Sequence, residues 1–113
     1  MSFLNGVAAP SMTEAWAVGG INRHGARHAL AERWNGQRWS VVHTTGPALA
    51  AVSALAANDA WAVGGSYAGR GEVMHWNGHL WAVATKLETR HGLGAVAEVS
   101  PTDVWAVGGL VKR

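Results

Sequence analysis

No cysteine occurs in the 113-residue chain, which rules out a disulfide framework and a thiolate metal site and leaves the redox compartment unmarked. Charge is also scarce. Nine Lys and Arg stand against seven Asp and Glu, a net of +2 with six His in reserve, too little to hold a polyanion by net charge, so no nucleic-acid partner is expected. No apolar run approaches the length of a membrane span, and Met1-Ser2-Phe3-Leu4-Asn5-Gly6 is not a basic segment followed by an apolar one. The expectation is a soluble chain with no signal peptide, no membrane partner and no assigned localisation. One Tyr and one Phe leave the aromatic content almost wholly to seven Trp, and a hydrophobic fraction of 49% argues against a disordered segment. Residues 1–113 are expected to fold as a single repeat domain.

The tryptophans recur in phrases. Ala15-Trp16-Ala17-Val18-Gly19-Gly20 returns as Ala60-Trp61-Ala62-Val63-Gly64-Gly65 and as Val104-Trp105-Ala106-Val107-Gly108-Gly109, at offsets of 45 and 44 residues. A fixed period of that size marks repeated supersecondary units that bury their apolar faces against their neighbours. Leu4, Leu49 and Leu93 each stand twelve residues before the phrase's Trp, with Val7, Val52 and Val96 three residues further on. The short apolar run that begins there reads as a first strand, a, although a short Ala-rich helix competes for Leu49 to Leu55. Turn residues follow, with Glu14, Asp59 and Asp103 reading as turn formers.

The phrase reads as strand b, with Trp16 and Val18 on one face and Ala17 and Gly19 on the other. The bulky face of one sheet is expected to pack on the bare face of the next. The paired glycines are expected to end the strand. Beyond a variable loop come Trp34-Asn35-Gly36-Gln37-Arg38-Trp39 and Trp76-Asn77-Gly78-His79-Leu80-Trp81. Asn-Gly between β-type runs is a strong hairpin signal, because both residues tolerate positive φ. Strands c and d then flank the turn with each Trp pair on one face, where core packing is favoured over a sugar-stacking platform.

Units of four strands at this period, stacked radially, are propeller blades. The residues resemble the kelch-type repeat: a strand ending in Gly64-Gly65, a variable loop, then an aromatic, Trp76, with Trp81 a few residues on. The WNGxxW hairpin and the shorter period depart from the usual kelch pattern and are similar to tandem repeats of large bacterial proteins. The resemblance implies an all-β fold of β-propeller blades, each of four antiparallel strands, with two and a half blades in the chain. These are residues 3–46, residues 47–91 and a half blade, strands a and b, over residues 92–113. A closed propeller needs four to eight blades, so the ring is expected to be completed by oligomerisation, most simply a dimer, or the chain is a fragment of a larger propeller.

Alternation of strand direction sorts the loops by end. One end is expected to collect Arg23, His24, Arg27, His28, Tyr67, Arg70, Lys86, Arg90 and His91 as candidate ligand-binding residues, joined by His43 and accompanied by Glu72 and Glu88. Such a basic end would attract an anionic partner or a glycan, with Tyr67 available for stacking. His24 and His28 have a spacing compatible with metal ligation, but they lie in a glycine-containing loop with no equivalent in the second repeat, so neither a metal nor any other cofactor is expected. His75 reads as a half-buried strand residue and His79 as an exposed turn residue. No nucleophile elbow, phosphate-cradling loop or zinc-protease motif occurs. The expected role is a non-enzymatic binding module or scaffold, with carbohydrate, as in a lectin, the first candidate ligand. The alternative is a structural or protein-interaction repeat with no ligand of its own.

Overall fold

The computed structural model of the chain describes residues 2–23, 25–66, 70–88 and 93–108. Among these, every regular element is a strand. β1 (Ser2–Ser11), β2 (Glu14–Arg23), β3 (Ala26–Trp34) and β4 (Trp39–Val42) form the first sheet in sequence order. β5 (Leu49–Ala56), β6 (Asp59–Ser66), β7 (Arg70–Trp76) and β8 (Trp81–Glu88) form the second. β9 (Leu93–Ser100) and β10 (Asp103–Gly108) pair as a two-stranded third. All pairings are antiparallel. The stretch beginning at Leu49 is therefore a strand and not a short helix: its apolar residues face neighbours on both sides, and β9 and β1 both pack against it.

The two WNGxxW segments fold alike. Asn35 Oδ1 accepts hydrogen bonds from the amides of Gln37 (2.9 Å) and Arg38 (3.0 Å), and Asn77 Oδ1 accepts from His79 (2.9 Å) and Leu80 (3.1 Å). Gly36 and Gly78 supply φ of 97° and 101°. Four residues thus close each turn, and Trp34 pairs directly with Trp39 and Trp76 with Trp81, each on one face as expected.

The phrase glycines have a different use from the one expected. In the first two copies they do not end strand b, whereas β10 ends at Gly108 among the described residues. Pairing of β2 with β3 continues through Ile21 to Arg23, and that of β6 with β7 to Ser66. Each strand a carries a bulge one residue after its leading Leu, at Asn5, Ala50 and Gly94. At this kink the backbones of strands a and b crowd together, so a Cβ on Gly19 would collide with the Phe3 carbonyl and one on Gly64 with that of Ala48.

The sheets stack in register, with β1 and β2 against β5, and β5 and β6 against β9. The bulky side of the first phrase meets the bare side of the second. Trp16 and Val18 are fully buried against Ala60, Ala62, Leu49, Val52 and Met74. Trp76 and Trp81 close around the Trp16 indole edge-on, at 4.8 and 5.0 Å between centroids. A smaller core joins the second and third sheets through Val63, Val73 and Leu93.

Candidate functional site

Adjacent antiparallel sheets leave a cleft where the linker from β4 to β5 crosses between them. It encloses about 370 Å³ and brings together Arg27 and His28 of β3, Gly46 and Pro47 of the linker, Glu72 of β7 and Lys86 of β8. Three of the residues expected at the basic end therefore share one wall-to-wall space. Arg27, His28 and Lys86 are exposed at its rim. Arg27 also lies over the Phe3 ring, 5.3 Å from its centroid, which fixes the guanidinium beside the first sheet.

Glu72 is buried, directly across the strand pair from Lys86. Its carboxylate occupies the space under the linker where Gly46 has no side chain, and Gly46 itself holds φ at 93°. The linker is tied down by a hydrogen bond from the Ala29 amide to the Gly46 carbonyl, 2.9 Å. On its other side, a second hollow of about 560 Å³ is lined by His28, His43 and Ile21, so His28 and Gly46 form a wall common to both spaces. The result is a cation-rimmed pocket with a carboxylate at its floor.

The other candidates separate into two groups. Arg23 closes β2 and Arg70 opens β7, both at the same end by backbone position. His24, Tyr67, Arg90 and His91 lie outside the described residues. Among the described residues no group of three His, Asp or Glu side chains is arranged to hold a metal ion.

At the opposite end Glu14, Asp59 and Asp103 each close the turn from strand a to strand b, and the first two also reach partners on strand c. Glu14 receives a two-pronged hydrogen bond from Arg33, Nε to Oε2 at 3.1 Å and Nη2 to Oε1 at 3.2 Å, and the guanidinium stacks over Trp16 and Trp76 at 5.7 and 5.5 Å. In the second sheet Asp59 holds His75 Nε2 at 2.7 Å, and the His75 ring lies 4.4 Å from that of Trp61. Each acid opens strand b and reaches the residue just before the hairpin Trp on strand c. That neighbouring position is basic in both repeats, Arg33 and His75, which is the signal that could have revealed the pairs.

Glu98 of β9 was not anticipated at all. It is buried beside Asp59 and Trp61, its amide donates to Ser53 Oγ at 3.0 Å, and neither carboxylate oxygen has a hydrogen-bond partner among the described residues. Burial and the Asp59 carboxylate push its carboxyl up to about 8. Burial works against ionised Asp59 too, but Glu98 and His75 outweigh it and hold that carboxyl below its ordinary value. The two neighbouring carboxyls are thus pushed in opposite directions.

Comparison with protein-family models, curated proteins and solved structures finds no match.

Proposed function

We propose that the chain is a non-enzymatic binding module of β-propeller type, built from kelch-like blades, and that it takes an acidic sugar in the cleft between its first two sheets. The observation that carries this reading is the cleft's make-up: Arg27 and Lys86 at the rim and the Glu72 carboxylate at the floor. A uronic or sialic acid presents one carboxylate and several hydroxyls. The carboxylate suits the two cations, and hydroxyl donors suit Glu72, which accepts only. A simple phosphate or sulfate would set its charge against Glu72, so the sugar class is favoured over a bare anion.

The test is binding to an array of acidic and neutral glycans, repeated with an Arg27→Ser/Lys86→Ser double variant. Binding of acidic glycans is expected, with a loss of at least about tenfold in the variant. An array without acidic binders overturns the ligand class. A second reading, a structural or protein-interaction repeat, is favoured by the exposed Trp39 and Trp105. Unchanged binding of every measured partner in the double variant would move the assignment to it.

A further inference from the structure

The first sheet and the second present the same face toward lower sequence number, but only the second has that face covered. Leu49, Val52, Ala62 and Trp81 line the seat in which Trp16 is buried. Their repeat equivalents in the first sheet, Leu4, Val7, Ala17 and Trp39, line an open hollow of about 600 Å³ with Glu32 at its edge. Leu4 is 55% exposed where Leu49 is 1%, and Trp39 is 44% exposed where Trp81 is 6%. The hollow is the Trp16 seat without its tryptophan. Its lining changes chemistry at Glu32, standing where the second sheet has Met74, and at Asn5, standing where it has Ala50.

The missing occupant is present at the far end of the same chain. Trp105 occupies in β10 the place that Trp16 occupies in β2, and it is 65% exposed where Trp16 is 0%. Val107, the equivalent of fully buried Val18, is exposed in the same way. Exposed apolar faces of this kind mark interaction surfaces. The two cannot meet within one chain, because the second sheet lies between the first and the third.

We infer that a second copy of the chain seats its Trp105 in the hollow formed by Leu4, Val7, Ala17 and Trp39, so that copies join head to tail by the packing rule that joins the first sheet to the second. Two different faces meet, so the contact is heterologous, and two copies joined at both ends make the smallest closed ring. The inference does not depend on what the sugar cleft binds, since Arg27 and Lys86 belong to neither face.

The test uses two single variants, Trp39→Glu and Trp105→Glu, each read by light scattering at about 0.1 mM. Both positions are exposed, so each variant should keep the parent circular dichroism. The parent should scatter as a multiple of the chain mass. Each variant alone should lose association by more than about thirtyfold, the effect of removing a central aromatic anchor. An equimolar mixture should recover a two-chain species, because one partner then retains Trp105 and the other retains the hollow. A parent that stays at single-chain mass overturns the inference. So does association that survives Trp105→Glu, or a mixture that fails to recover two chains while both variants keep the parent spectrum.

Discussion

The first sheet meets the second through three interlocking tryptophans, whereas the second meets the third mainly through small aliphatic side chains and one half-buried tryptophan, Trp61. The phrase is nearly the same in both places. What differs is the neighbour: Trp16 is enclosed by Trp76 and Trp81 from strands c and d of the next sheet, and the third sheet, two-stranded among the described residues, offers Trp61 no such pair there. Polar partners follow the same division. Around Trp16 the acid is matched by a stacked arginine, while around Trp61 a His, an Asp and a buried Glu crowd together. Burial of a repeat's signature residue is thus decided by the unit beyond it.

The sharpest way to break this comparison is to truncate both signature residues. Trp16→Ala should cost about 3–5 kcal/mol of unfolding free energy in urea, and Trp61→Ala only about 1–2 kcal/mol. Equal losses would mean that the second junction is as tightly packed as the first.

The next effect belongs to the second junction alone. Glu98 has an ordinary value of 4.5 and titrates near 8 in the folded chain. Between those values the folded state holds a proton that the unfolded state has released, so stability declines as pH rises from about 4.5 to about 8. Glu98→Gln should remove this decline and melt at a higher temperature than the parent at about pH 8.5, with a smaller difference at about pH 5.5. A parent with the same melting temperature at both values would contradict it.

The smallest effect separates the hairpins. Ala at Gly36 or Gly78 meets an unfavourable positive φ, costing about 1 kcal/mol. A Cβ at Gly78 would also come within 3.0 Å of the Asn58 Cβ, against 3.5 Å from Thr13 at Gly36. Gly78→Ala should therefore lower the urea midpoint more than Gly36→Ala, and the reverse order would show that backbone strain alone sets the cost.

Much of the fold was legible because it is written locally. The WNGxxW turn needs only Asn, Gly and four residues of spacing, and strand b declares its two faces by alternation. The a-strand bulge was not legible, since Asn5, Ala50 and Gly94 share no chemistry. Their common feature is the glycine across the ladder, which was read as a strand end. At the basic end, loop polarity placed Arg27, His28 and Lys86 together, but the buried position of Glu72 depends on the missing side chain of Gly46, 26 positions earlier. Glu98 shows the limit most plainly. Its repeat equivalents are Ala9 and Ala54, and its altered acidity arises from residues of a different sheet.

The two Asn-Gly turns also set a chemical clock. A glycine amide next to asparagine meets no side chain on its way to the asparagine carbonyl, so ring closure with loss of ammonia is easier there than before any other residue. Here Asn35 and Asn77 each hold their Oδ1 against two backbone amides, which keeps the side-chain carbonyl turned away from that attack while the hairpin is closed. Opening either turn removes the protection. Hydrolysis to aspartate would leave an acceptor in place, but the isoaspartyl product adds a backbone atom between Trp34 and Trp39, or between Trp76 and Trp81, and shifts one tryptophan of the pair out of register. At the second hairpin that shift would be felt at the junction between sheets, because Trp76 and Trp81 enclose Trp16 there.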